Sequence, residues 1–129
     1  MSKDAKMKKI LIVDDDAAIR KTVVKIVEGM GYITIESLDG KHAAETLQCN
    51  SDISLIITDM IMPRMDGRLL IREILREKPR ATIPIIIMSG AVTVKDISDL
   101  LEIGAKAFLP KPLKAKDVKE YIARYLEEE

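Results

Sequence analysis

Ile10-Leu11-Ile12-Val13-Asp14-Asp15-Asp16 is the stretch that decides the fold. Four apolar residues run without polar alternation, as in a strand buried on both faces. Three carboxylates then stop the run. A strand covered on both faces belongs to a parallel sheet with helices above and below it. Ligands of such sheets gather beyond the carboxyl ends of the strands. The stretch therefore predicts an α/β fold and marks where its chemistry should lie.

Outward from it, short apolar runs alternate with segments of helical period. Ile19, Val23, Ile26, Val27 and Met30 recur near every 3.6 residues and predict a helix closed by Gly29 and Gly31. Tyr32 to Ile35 reads as a weaker strand and Asp39 to Gln48 as a short helix. Leu55-Ile56-Ile57 is a buried strand ending at Thr58-Asp59, and Met62 to Gly67 is a loop by its Pro and Gly. Leu69 to Glu77 reads as a helix ended before Pro79, and Ile85 to Met88 as a strand that tolerates Pro84 at its start. Lys95 to Ile103 is a helix capped by Gly104, Ala107 to Leu109 a short strand, and Ala115 to Leu126 a final helix. Five strands alternating with five helices make a doubly wound parallel sheet, because each crossover is long and right-handed. The flavodoxin-like order 2-1-3-4-5 suits five such units, although the sequence alone does not fix it.

The 129 residues amount to one domain, with 47% hydrophobic and 33% charged residues. That balance excludes a disordered chain, and no apolar stretch approaches the length of a membrane span. Lys+Arg and Asp+Glu both number 21, so the formal net charge is zero. Neutrality argues against a general nucleic-acid binder, and 3% aromatic residues leave few platforms for stacking bases. The single Cys49 forms neither an intramolecular disulfide nor a thiolate metal site, which fits a reducing, cytoplasmic setting. The basic start has too short an apolar run behind it to be a signal peptide.

The polar residues just after each apolar run form a short list. Asp14, Asp15 and Asp16 follow the first strand, Asp59 the third, Ser89 and Gly90 the fourth, and Lys111 with Pro112 the fifth. The second strand contributes Glu36 and Ser37, which look unremarkable. Carboxylates crowded at one sheet end raise the cost of ionising each other, and a hard divalent cation relieves this. Few protein ligands with several waters point to Mg²⁺ over Ca²⁺. A cation, a carboxylate nucleophile, a hydroxyl and an ammonium are the parts needed for phosphoryl transfer.

These motifs, together and in order, resemble the receiver domain of bacterial two-component response regulators. The motifs are Val13-Asp14-Asp15-Asp16, Thr58-Asp59 through Pro63 to Asp66-Gly67, Ser89-Gly90, and Gly104-Ala105 with Phe108 and Lys111-Pro112. The resemblance runs from about Lys8 to Leu126. It implies that Asp59 is the phosphoacceptor. It implies that Asp15 and Asp59 ligate Mg²⁺ directly, Asp14 through water, and Ile61 by its backbone carbonyl. Ser89 and Gly90 would contact the phosphoryl group and Lys111 would pair with it. Phe108 would be an aromatic switch responding to Ser89, and the Lys111–Pro112 bond would be cis. The implied partners are a histidine kinase or phosphotransfer protein as donor and a downstream protein on the 94–126 face, with no direct nucleic-acid or membrane contact.

Two departures from the family pattern bear on lifetime. Ile61 and Ala91, two residues after Asp59 and Ser89, are apolar and cannot orient a hydrolytic water. Slow to moderate loss of the phosphoryl group is the expectation. Phe108 also lacks the hydroxyl of a switch Tyr.

Plainer readings apply to several residues. Asp16 reads as a helix N-cap. Asp66-Gly67 shapes a loop, the methionines are mostly core filler, and Cys49 is passive. His42 reads as a surface residue without an evident partner. Residues 1–8 read as a flexible basic start, 9–126 as the receiver unit, and 127–129 as a solvated acidic tail. The chain reads as a free-standing regulator, with a receiver cut from a longer protein as the alternative. A rival function is a Mg²⁺-dependent phosphatase of the haloacid-dehalogenase type with Asp14 as nucleophile. Asp14-x-Asp16 fits that spacing, but Ala18 stands where a Thr or Val is expected and no cap domain is present.

Overall fold

The computed structural model describes residues 8–50, 52–61, 67–76, 83–90 and 93–126. The elements in chain order are β1 (Lys9–Val13), α1 (Ala17–Gly29), β2 (Ile33–Ser37), α2 (Gly40–Cys49) and β3 (Ile53–Asp59). They continue with α3 (Gly67–Arg76), β4 (Ile85–Ser89), α4 (Val94–Ile103), β5 (Ala107–Pro110) and α5 (Ala115–Leu126). The strands form one parallel sheet in the order β2-β1-β3-β4-β5. This is the doubly wound, flavodoxin-like arrangement with five helices.

Alternate residues of each central strand point to opposite faces, and both faces are covered. Leu11, Val13, Ile56, Ile85 and Ile87 pack with Ala43 and Leu47 of α2, Leu70, Ile71 and Ile74 of α3, and Leu100 of α4. Ile10, Ile12, Leu55, Ile57, Ile86 and Met88 pack with Val23 and Val27 of α1 and Val118 and Ile122 of α5. Burial on both sides is why β1, β3 and β4 read as unbroken apolar runs. The edge strand β2 is mostly half-buried, and its sequence is correspondingly mixed.

Element ends differ modestly from the sequence reading. β2 starts at Ile33 and runs on to Ser37, and β3 begins two residues before Leu55. α3 starts at Gly67; its expected end at Glu77 lies outside the described residues, as does the Met62–Asp66 loop. Asp16 caps α1, its side chain accepting from the amides of Ala18 and Ile19. Asp39 caps α2 by accepting from the His42 amide, and Thr93 caps α4. Gly104 ends α4 with φ of 145°, a conformation that favours glycine, and an added Cβ would stand 2.7 Å from Leu75 Cδ1. Lys8, at the start of the described chain, donates from Nζ to the carbonyl of Leu126, 3.0 Å away. The expectations for residues 1–7 and 127–129 lie outside the described residues.

Candidate functional site

Sheet register assembles the site. Val13 pairs with Thr58 across β1 and β3, so the next residues, Asp14 and Asp59, meet at the sheet end. Asp59 pairs with Met88, which puts Ser89 one step beyond it on β4. Ser89 pairs with Pro110, which puts Lys111 one step beyond the end of β5. Residues scattered over almost a hundred positions thus converge because four neighbouring strands stop at nearly the same level.

The strand ends are stitched together by main-chain hydrogen bonds. The Asp14 amide donates to the Ser37 carbonyl at 3.2 Å, the Met60 amide to the Met88 carbonyl at 3.0 Å, and the Lys111 amide to the Ser89 carbonyl at 3.0 Å. The Lys111–Pro112 peptide is cis. Gly90 lies close against this turn: a Cβ there would stand 3.4 Å from Lys111 Cβ.

Carboxylate oxygens of Asp14, Asp15 and Asp59 all lie within 4.8 Å of one another. Asp14 is wholly buried, Asp59 is 7% exposed, and Asp15 faces solvent. Lys111 Nζ reaches into the cluster, 3.3 Å from Asp14 Oδ2 and 3.2 Å from Asp59 Oδ1. Asp14 Oδ1 accepts from the Asp16 amide at 2.8 Å. Asp59 Oδ1 also accepts from the Met60 amide at 2.9 Å. Burial pushes the Asp59 carboxyl above its ordinary value, and the negative charge of Asp14 adds to the effect. Lys111 and the Met60 amide pull the other way without cancelling it. Burial alone would lower the Lys111 ammonium, but the charges of Asp59 and Asp14 outweigh it and hold the group above its usual value.

Among the described residues three carboxylates face one ammonium, which leaves an excess of negative charge in a confined, partly buried place. Hard oxygen donors with one open side toward solvent are the donor set that Mg²⁺ takes. The Asp14, Asp15 and Asp59 cluster therefore fits a Mg²⁺ site, and Asp59 within it fits a phosphoacceptor. Beside it opens a cleft of ≈ 290 Å³ lined by Ala18, Ile19, Thr22, Lys111, Pro112 and Leu113.

The other expected residues fall around this centre. Ser89 is 4% exposed at the end of β4. Ile61 is exposed two residues past Asp59. Phe108 on β5 is half-buried against the core shared by α2, α3 and α4. Ala91 lies outside the described residues. Three residues escaped the sequence reading. Arg20 is 8% exposed and its Nη1 donates to the Asp14 carbonyl at 2.7 Å. Glu36 holds Arg20, and Ser37 carries the carbonyl that takes the Asp14 amide. The available signal was spacing, since Arg20, Val23 and Val27 occupy one buried stripe of α1. His42 also has a partner after all: its Nδ1 lies 2.9 Å from the buried Ser37 hydroxyl.

Comparison with known proteins agrees with this geometry. The family described as "Response regulator receiver domain" matches residues 10–123. A rice protein (Oryza sativa subsp. indica), "Two-component response regulator ORR11", is 34% identical over 117 residues, covering 91% of this chain and 80% of that protein. The structure resembles the chemotaxis protein CheY4 of Vibrio cholerae, with a TM-score of 0.87, 26% identity, and 93% and 99% of the two chains covered. It also resembles the receiver domain of a signal transduction histidine kinase from Syntrophus aciditrophicus. There the TM-score is 0.85 and the identity 32%, with 93% and 90% covered. A sheet that brings an acid cluster and a lysine to one end, matched along nearly its whole length, places the chain in the response regulator receiver-domain family.

Proposed function

We propose that Asp59 accepts a phosphoryl group from a phosphohistidine on a histidine kinase or phosphotransfer protein. The carrying observation is the division of labour between the two buried carboxylates. Asp14 has both oxygens engaged, Oδ1 by the Asp16 amide and Oδ2 by Lys111. Both donors that the described residues offer Asp59 reach Oδ1. Oδ2 of Asp59 is the oxygen left to attack phosphorus. In the transfer the donor's P–N bond breaks, the Asp59 Oδ2–P bond forms, and the leaving imidazole keeps the electron pair and is protonated.

Asp14, Asp15, Asp59 and the backbone carbonyl of Ile61 would hold Mg²⁺. Bound there, the ion supplies neutralisation of the charge on the phosphoryl oxygens. Lys111, already between the two carboxylates, would shift its pairing to the new phosphoryl oxygens. The Ser89 hydroxyl would donate a hydrogen bond to them, and the Gly90 backbone would line the same side. A phosphoryl group adds about −1.5 to −2 charges and strong acceptors, enough to draw these groups in. Phe108, two residues before the Pro110 that pairs with Ser89, would turn inward as Ser89 moves. The face made by α4, β5 and α5, residues 94–126, would then change shape for a downstream protein, with no direct contact to nucleic acid. A cytoplasmic location suits such donors, and no helix among the described residues is long and apolar enough to cross a membrane.

Incubation with Mg²⁺ and acetyl phosphate tests the reading. One phosphoryl adduct per chain, seen by intact mass and abolished in Asp59→Asn, is the expected result. Multiple turnover of phosphate esters, retained in Asp59→Asn and lost in Asp14→Asn, would instead favour the phosphatase reading. The adduct should decay slowly to moderately, because exposed, apolar Ile61 cannot orient a water beside it. Replacing Ile61 by Asn should shorten the lifetime severalfold; an unchanged decay rate would contradict this account of it.

A further inference from the structure

We infer that Arg20, held in place by Glu36, is a positioning residue for the metal site. Its guanidinium fixes the peptide that joins Asp14 to Asp15. The inference rests on the reading of these two residues as Mg²⁺ ligands.

Arg20 sits on the buried stripe of α1 with Val23 and Val27 and is 8% exposed. A guanidinium there has lost most of its hydration and needs fixed partners. Among the described residues it has two, one on β2 and one just past the end of β1. Nε donates to Glu36 Oε1 of β2 at 2.9 Å, and Nη1 donates to the Asp14 carbonyl at 2.7 Å. The second Glu36 oxygen faces Lys21 Nζ at 3.9 Å. Because the guanidinium is a rigid planar fork, fixing Nε against Glu36 also fixes where Nη1 points.

The consequence passes through the backbone. The Asp14 amide is pinned to the Ser37 carbonyl and the Asp14 carbonyl to Arg20, so Asp14 is held on both sides of its Cα. The Asp14 carbonyl and the Asp15 amide belong to one planar peptide unit. Fixing the carbonyl therefore fixes the direction in which the chain enters Asp15. Asp14 has side-chain partners of its own. Asp15 is exposed, and no described residue donates to its carboxylate. Its approach to within 4.8 Å of the other two carboxylates is set by the main chain that Arg20 holds.

Charge and position make opposite demands here, which gives a sharp test. Arg20 is a cation near an acid cluster. If only its charge counted, removing it would take a cation away from the acid cluster and tighten Mg²⁺ binding. If position counts, removal loosens the Asp14–Asp15 peptide and weakens binding. The experiment follows backbone amide shifts of the ¹⁵N-labelled full chain during Mg²⁺ titration, for wild type, Arg20→Gln and Arg20→Lys. The expected result is a loss of roughly ten-fold in Mg²⁺ affinity for Arg20→Gln, the scale on which partners of metal ligands act. Arg20→Lys keeps the charge but loses the fork, and should lose affinity severalfold. Affinity equal to wild type or tighter in Arg20→Gln overturns the inference. Should that variant not fold, unchanged affinity in Arg20→Lys overturns it alone. Saturable Mg²⁺ shifts absent from the wild type itself would overturn the metal-site reading, and this inference with it.

Discussion

Asp59 pays for its chemistry with strain of an electrostatic kind. It is nearly buried, beside the wholly buried Asp14, and its carboxyl is held above the ordinary value by burial first and by that neighbour second. The native state therefore binds the Asp59 proton more tightly than the unfolded chain does. Its ionised form costs stability, and the cost is fully present above the folded pKa. As pH falls through that value toward the ordinary one of 3.8, the cost is relieved. Asp59→Asn removes the charge while keeping the shape, and leaves Lys111 paired with Asp14. Without Mg²⁺ at pH 7 this variant should be more stable than wild type by about 1 kcal/mol, the ordinary scale of a single substitution. The difference should shrink on acidification as the wild-type carboxyl takes up its proton. Urea unfolding at several pH values measures both, and a variant less stable than wild type at pH 7 would contradict the argument.

At the scale of elements, what the sequence made legible follows from burial. β1, β3 and β4 are covered on both faces, so their apolar runs stand out and their carboxyl ends could be searched for chemistry. Asp14, Asp15, Asp59, Ser89 and Lys111 each stand just past an apolar run and so are legible as neighbours from the sequence. β2 lies at the edge with mixed burial, its pattern is weak, and with it the roles of Glu36 and Ser37 were missed. Arg20 is hard to read for another reason: an arginine in a helix ordinarily reads as solvated, so its spacing with Val23 and Val27 hints at burial while only contacts reveal what it ties. Helix starts were readable only in part. Asp16 was recognised as a cap, whereas the reciprocal cap of α4 was not. There Thr93 Oγ1 accepts from the Asp96 amide, and Asp96 Oδ2 accepts from the Thr93 amide, each at 3.1 Å. Since α4 belongs to the proposed output face, its first turn should govern how readily that face opens. Thr93→Ala should cost about 0.5–2 kcal/mol of stability. It should also speed hydrogen exchange in the first turn of α4 more than in α1, whose Asp16 cap it does not touch. Equal protection of the two helices after the substitution would show that the cap is not what holds α4.

For the whole molecule, zero net charge conceals an uneven distribution. Positive and negative groups each number 21, yet among the described residues one end of the sheet gathers three carboxylates around a single lysine. In the unfolded chain Asp59 is more than forty positions along the sequence from the adjacent Asp14 and Asp15, so the chelating cluster exists only in the native state. A ligand that binds only the native state stabilises it by RT ln(1 + [L]/Kd), about 2.7 kcal/mol at a hundredfold excess over Kd. For a domain of this size that amounts to a rise in Tm on the order of 10 °C. Neutrality makes the measurement clean. With no overall self-repulsion to screen, NaCl at matched ionic strength should move Tm far less than MgCl₂. The residue-scale argument fixes the sign of the control. Asp59→Asn, more stable than wild type without the metal, should gain much less from Mg²⁺, so the two melting curves should approach or cross as the ion is added. Equal gains for the two proteins would remove Asp59 from the metal site. An equal effect of both salts on the wild type would mean that ordinary screening, and not a chelating cluster, answers to the cation.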